Sequence, residues 1–438
     1  MSGLIIAAPA SGSGKTTVTL ALLRALRRHG VAAAPFKCGP DYIDPAFHAA
    51  AAGRPCYNLD PWAMRPATVA ALIRARGAGV NIAEGVMGLF DGGPGGIGST
   101  ANLARATGWP VALVVDAAGM AQSAAALVAG FVNHDPAVRI PGVIFNRTGG
   151  VAHNRILAGA CANLGVTVLG GVARDEKLHL PSRHLGLVQA AEHEALENFL
   201  NAAADAVESG VNMEAVARMA ESAPAEMVDA GAETVDAPST LPPLGGRIAV
   251  ARDEAFAFCY PATLDSWRAA GAEIFFFSPL ADEAPDAKAD AVFLPGGYPE
   301  LHAGRLAACQ NFTAAMRAAA GRRAAVVGEC GGYMVLGRAL TDGGGEVHQM
   351  LNLLPVETSF AQKKMTLGYR RLHLANHHAL GKKGAAFRGH EFHFATAVTE
   401  PGAPLFTARD AAGRDLGGAG CARGTVSGSF VHLVDRAE

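Results

Sequence analysis

The sequence lacks any apolar run approaching the ~20 residues needed to cross a bilayer, although 50% of its 438 residues are hydrophobic. Its longest such runs are strand-sized. No charged opening followed by a long apolar stretch is evident, so a signal peptide is not expected. Excess charge is missing as well. The 37 basic and 39 acidic residues nearly cancel, which argues against a nucleic-acid or membrane-surface partner. Seven cysteines (Cys38, Cys56, Cys161, Cys259, Cys309, Cys330 and Cys421) show no paired close spacing, so they read as reduced thiols in the cytoplasm rather than a disulfide framework. There is no internal repeat and no long low-complexity segment.

What is present is enough chain for two domains of roughly 200 residues each. Up to about residue 195, short β-type runs alternate with longer helical stretches. Strands are expected at Leu4–Ala8, Val31–Lys37, Val80–Ala83, Val111–Val115, Gly142–Phe145 and Val166–Leu169, with a helix over Lys15–Arg28. Runs apolar on both faces and separated by helices imply a parallel sheet covered on both sides. Composition then shifts to Ala, Glu and Asp and ends in the Pro-rich Ala237–Pro243. This divides the chain into residues 1–200, a helix and linker over 201–244, and a second α/β domain over 245–438. Further strands are expected at Glu273–Phe277 and Ala291–Leu294 and in the run entering Cys330.

Two turns carry chemistry. The first, Ser11-Gly12-Ser13-Gly14-Lys15-Thr16-Thr17, lies between a strand and a helix. Backbone N–H groups and a helix N-terminus suit a phosphate, Lys15 reaches the outer phosphates of ATP, and Thr16 is placed to ligate Mg²⁺. Pro9 stands where the general motif has its first glycine. Glu84 ends a strand where parallel-sheet ligands bind, and is expected to hold the metal. Asp116 ends another in the same manner. Asn146 and Arg147, at a further strand end, are candidates for adenine or phosphate contact. The bland alternative is a Gly/Ser turn that only caps a helix.

The second turn is Gly328-Glu329-Cys330-Gly331-Gly332, after Ala324–Val327. A small-residue turn between strand and helix exposes the thiol above a helix N-terminus, which is expected to lower its pKa. Gly331, with Gly296 and Gly297 of a second turn, is a candidate for the oxyanion and glutamine site. His432 is the candidate base. The usual acid two residues later is replaced by Val434, and Glu391 is a speculative stand-in. His390-Glu391-Phe392-His393 lacks zinc-protease spacing and reads as a strand.

The segments Lys37–Pro45, Glu84–Gly92, Leu180–Leu187, Leu294–Glu300, Leu367–Arg370 and Gly389–Phe394, with the Cys330 turn, resemble the cobyrinic acid and hydrogenobyrinic acid a,c-diamide synthase family. They occur in family order across nearly the whole chain, and the overall likeness leans toward the aerobic-pathway hydrogenobyrinate enzymes. The resemblance implies a dethiobiotin-synthetase-like P-loop domain joined to a class I glutamine amidotransferase domain. It implies ATP- and glutamine-dependent amidation of the a and c acetates of a tetrapyrrole carboxylic acid, with Mg²⁺. It assigns the nucleophile to Cys330 and the histidine to His432. Asp44 then joins Thr16 and Glu84 as a metal candidate, while Asp41, Tyr42, Ile43, Asp91, Arg183 and His184 become substrate candidates. Turn capping is the bland role for the aspartates. A homodimer is allowed by this reading. Alternatives are the same reaction on another tetrapyrrole, such as nickel sirohydrochlorin, or a P-loop switch ATPase, which would leave Cys330 and His432 without a purpose.

Overall fold

A computed structural model describes residues 2–179, 182–183, 186–187, 189–193, 195–222 and 240–437. The chain forms two compact units, Met1–Trp62 with Pro66–Asp236, and Ala63–Arg65 with Ala237–Glu438.

The first unit is built on seven strands: β1 (Leu4–Ala7), β2 (Ala33–Cys38), β3 (Tyr57–Leu59), β4 (Val80–Glu84), β5 (Val111–Asp116), β6 (Gly142–Thr148) and β7 (Thr167–Ala173). Their order is β3-β2-β4-β1-β5-β6-β7, with every neighbouring pair parallel. The central strands are buried along their whole length, as a sheet covered on both faces requires. Between β1 and α1 (Lys15–Arg28), Gly12 and Gly14 adopt φ of +82° and +84°, a region that disfavours a side chain. Arg27 and Arg28 occupy the last turn of α1, where positive charge complements the helix dipole.

The helix Leu196–Gly210 packs along α1, with Arg24 2.9 Å from Glu197 and Arg28 2.6 Å from Asp205. Its buried stripe, Phe199, Leu200, Ala203, Ala204 and Val207, follows helical periodicity. The first unit therefore runs past the expected limit at residue 200, because the apolar face of this helix needs the sheet's own helix to cover it.

In the second unit the sheet order is Glu273–Phe277, Arg247–Ala251, Ala291–Leu294, Ala325–Glu329, Val426–Ser429 and Cys421–Arg423. Pairing is parallel until the last, antiparallel strand. One core holds Phe256, Phe312, Met316 and Tyr333. The other holds Trp267, Phe293, Leu372 and Phe387 and includes residues of a five-stranded antiparallel sheet. That sheet contains Thr366–Leu374, Ala386–His393 and His432–Arg436, and in it His390 pairs with His432. The segment holding His390 and His393 is a strand, as read from its sequence.

Candidate active sites

At the carboxyl ends of β1, β2 and β4 the structure gathers six charged or titratable side chains. Glu84, fully buried, accepts from Lys15 Nζ at 3.0 Å and from Thr16 Oγ1 at 2.6 Å. Lys37 Nζ lies 3.1 Å from the same oxygen and 2.7 Å from Asp44 Oδ2. His48 Nε2 meets the other Glu84 oxygen at 2.5 Å. Asp41 Oδ1 accepts from the Ile43 and Asp44 amides at 2.8 and 3.0 Å. Burial opposes charge on Glu84, but Lys37, Lys15 and His48 outweigh it and hold the carboxyl well below its usual range. Burial likewise opposes charge on Lys37, but Asp44, Glu84 and Asp41 raise it well above its usual value. Desolvation and the neighbouring Asp44, only partly relieved by Lys37, push the half-buried Asp41 up to about 6.

Asp44, expected as a metal ligand, pairs with Lys37, because a buried ammonium must find a carboxylate close by. Ile43, expected against a macrocycle, is only 6% exposed and packs into the core. Asn146 donates from its side chain to Ser13 O at 3.0 Å and so braces the loop. A Cβ on Gly14 would fall 1.9 Å from Asn146 Nδ2, so a side chain at residue 14 would displace that brace. Arg147, at φ +55°, pairs with Asp116 at 2.5 Å. Asp91 Oδ2 accepts from the Gly88 amide at 3.2 Å. Tyr42 is half-buried beside Asp41. Arg183 pairs with Gly186 where the short strand Ser182–Arg183 lies antiparallel to Gly186–Leu187, and His184 lies outside the described residues. Lys37 and His48 were missed in the sequence. The lysine beside Cys38-Gly39-Pro40 at a strand end was a usable signal, but nothing local marked His48.

In the second unit, Cys330 follows the strand Ala325–Glu329 and precedes the helix Gly331–Leu336 with φ +45° and ψ −105°. A non-glycine residue held there stores backbone strain, as a nucleophile on a sharp strand-to-helix turn does. Its amide donates to Ser429 O at 2.8 Å, which ties the turn to the neighbouring strand. A Cβ on Gly296 would stand 2.3 Å from His432 Cε1, 3.1 Å from His432 Nε2 and 3.3 Å from Cys330 Cβ. The imidazole edge and the thiol side chain thus converge on one residue that has room only for hydrogen. A Cβ on Gly331 would lie 3.0 Å from Gly297 N, which puts the second glycine turn against the elbow.

The expected low thiol pKa is overturned. Burial raises the Cys330 thiol well above its ordinary value, Glu300, Glu391 and Glu329 add to this, and the Gly331 N–H only partly offsets it. Burial, with His390 and His393 beside it, lowers His432 to about 3. The resting pair is a neutral thiol beside a neutral imidazole. Glu391 does not serve His432 in this structure: its oxygens meet Arg370 Nε at 2.6 Å and His393 Nε2 at 2.9 Å. Glu329 stands beside the ring, with Oε2 3.8 Å from His432 Nδ1 and Oε1 accepting from the Leu433 amide at 3.1 Å. It was inside the quoted elbow but carried no assigned role.

Comparison with known proteins agrees with both halves. Residues 4–188 match the CobQ/CobB/MinD/ParA nucleotide binding domain, and residues 247–437 match the CobB/CobQ-like glutamine amidotransferase domain. A hydrogenobyrinate a,c-diamide synthase of Rhizobium meliloti (strain 1021) is 55% identical over 445 residues, covering 100% of both chains. The chain belongs to the hydrogenobyrinate a,c-diamide synthase family. Other members are the enzymes of that name from Brucella suis biovar 1 (strain 1330), 55% identical over 99% of each chain, and Rhodobacter capsulatus, 51% identical over 99% of this chain and 98% of its own. This membership bears out the expected architecture of a P-loop domain followed by a glutamine amidotransferase domain. It also makes the chain an amide-forming ligase that uses glutamine, rather than a switch ATPase. No helix among the described residues is long and apolar enough to cross a membrane.

Proposed function

We propose that this chain amidates the a and c acetate carboxylates of hydrogenobyrinic acid, using ATP to activate each carboxylate and glutamine to supply ammonia. The observation that carries this is the coexistence of the Lys15–Thr16–Glu84 cluster at a phosphate loop with Cys330 and His432 facing each other across Gly296.

Cys330 loses its proton to His432 Nε2 as its sulfur attacks the glutamine carboxamide carbon. Because both groups rest neutral, charge forms only during attack, and N–H groups at Gly296, Gly297 and Gly331 are candidates to receive the oxyanion. The C–N bond breaks, His432 returns the proton to the departing nitrogen, and ammonia leaves. Water then releases glutamate from the thioester.

In the first unit, backbone N–H groups between Gly12 and Thr17 and the N-terminus of α1 cradle the phosphates, and Lys15 neutralises the outer ones. A substrate carboxylate oxygen attacks the γ-phosphorus and ADP departs. The acyl phosphate then meets ammonia, the C–N bond forms and phosphate leaves. Asp41, Asp91, Tyr42, Arg183 and His184 remain the candidates for holding the acetate arms.

The Thr16 hydroxyl and a Glu84 carboxylate oxygen, 2.6 Å apart beside the loop, are hard oxygen donors of the kind Mg²⁺ takes. Those two residues would hold the ion, which would supply charge neutralisation on the phosphates. Asp44, paired with Lys37 beside Glu84, is a further candidate ligand.

The test is product mass from hydrogenobyrinic acid, and separately from cobyrinic acid, with ATP and glutamine. Two successive OH-to-NH₂ exchanges establish diamide synthesis, and the faster acceptor names the substrate. Glutamine cleavage with neither acceptor amidated would overturn the substrate assignment.

A further inference from the structure

The residue immediately before the nucleophile closes the gap left by Val434. We propose that Glu329 is the positioning residue for His432, its carboxylate accepting a hydrogen bond from the imidazole Nδ1–H so that Nε2 is held toward Cys330 during glutamine cleavage. The assignment rests on the amidotransferase reading above.

Three observations carry it. Glu329 ends the strand Ala325–Glu329 and is paired with Ser429, while His432 opens the strand His432–Arg436. Its Oε1 takes the Leu433 amide at 3.1 Å, so the carboxyl is fastened to the residue next to the histidine. Its Oε2 then faces Nδ1 at 3.8 Å, while the Nε2–Cε1 edge of the same ring faces Gly296 and Cys330. That distance is longer than a hydrogen bond, as is common before substrate tightens a site. Of the other carboxylates beside Cys330, Glu391 is occupied by Arg370 and His393.

The proton balance is simple. One proton passes from Cys330 Sγ to His432 Nε2 as the C–S bond forms. The imidazolium then carries hydrogen on both nitrogens, and the Glu329 carboxylate faces the one at Nδ1. The same proton goes back to the leaving nitrogen, so the residue is unchanged at the end.

A condition follows for activity. Desolvation, offset only in part by the Leu433 N–H, raises the Glu329 carboxyl to about 8. The groups around it are Cys259, whose thiol is raised to about 12, together with His390 and His393 beside His432 and Glu300 and Glu391 beside Cys330. His390 is lowered to about 4 and is neutral where Glu329 titrates. The working carboxylate form therefore accumulates as pH rises toward and past 8.

The experiment uses the full chain, with ATP and tetrapyrrole saturating, and compares wild type with Glu329→Gln and Glu329→Asp. Glu329→Gln keeps an oxygen for the Leu433 amide but cannot bear the charge. The expected result is a fall in glutaminase kcat of about a hundredfold or more, with KM for glutamine and ammonia-dependent synthesis unchanged. The rise in wild-type activity with an inflection near pH 8 disappears in Glu329→Gln and returns in part in Glu329→Asp. An unchanged kcat and pH profile in Glu329→Gln would overturn the assignment. So would a loss confined to KM, or an equal loss of ammonia-dependent synthesis, since these mark glutamine contact or a structural role. Glutaminase surviving in Cys330→Ala would remove the underlying reading, and this assignment with it.

Discussion

At the phosphate loop, Lys15 and Lys37 meet Glu84, Asp44 and Asp41 in a buried cluster where each charge is held by its opposite. At the elbow, Cys330 and His432 are just as buried, yet both are driven toward their neutral forms. The difference follows from what each site is proposed to receive. A nucleotide brings permanent negative charge, so a pre-formed, compensated set of charges can exchange partners with it. The reacting carboxamide of glutamine is neutral, and a site that stays neutral until attack keeps its desolvation cost low at rest.

The contrast is broken most severely by Cys330→Ala. Glutamine-dependent synthesis should fall by about a thousandfold or more, while synthesis from free ammonia persists, because the charged site is untouched. Parallel rate assays with the two nitrogen donors check this, and equal losses with both would contradict the separation.

Next in size is Lys37→Met, which leaves Glu84 and Asp44 buried without their shared cation. Breaking such a pair costs about 3–5 kcal/mol, read as a lower denaturant midpoint, with loss of synthesis from either donor. A variant as stable as wild type would show that the charges in this cluster are not mutually compensated.

Gly296→Ala should act on the neutral site alone. Its methyl would sit 2.3 Å from His432 Cε1, so the ring must move away from Cys330. Misplacing a base by about 1 Å costs on the order of a hundredfold in glutaminase rate, with ammonia-dependent synthesis preserved.

A further effect is on stability against pH. His432 titrates at about 3 in the fold and near 6.5 when unfolded. The unfolded chain binds the extra proton between those values, so this residue's contribution is complete above pH ~6.5 and is lost as pH falls toward 3. His432→Gln should therefore lose less stability than wild type on acidification, measured as the difference in melting temperature at successive pH values. Parallel curves would show that His432 is not held neutral.

The phosphate loop and the cysteine elbow were both legible because their chemistry is local. A strand, a glycine turn and a helix start are contiguous, and Lys15 or Cys330 occupies a fixed offset within them. His432 was legible as a histidine at the end of the last strand, but Glu391, offered as a speculative stand-in for its acid, is engaged by Arg370 and His393. The pairing of Asp44 with Lys37 was hidden for a related reason: a carboxylate in a polar turn does not reveal that a buried lysine on the adjoining strand is its neighbour. His48 gave no local signal, since its contact with Glu84 joins a helix to the end of a strand 36 residues on.

By itself, then, the sequence determined the two α/β units, the two turns and the residue types at their tips, because periodicity and backbone conformation act over a few residues. Only the tertiary structure decided which charges neutralise which, and that the thiol and imidazole rest uncharged. Those outcomes depend on burial and on distances between strands far apart in the chain, and a pKa is set by those surroundings and not by the residue's neighbours in sequence.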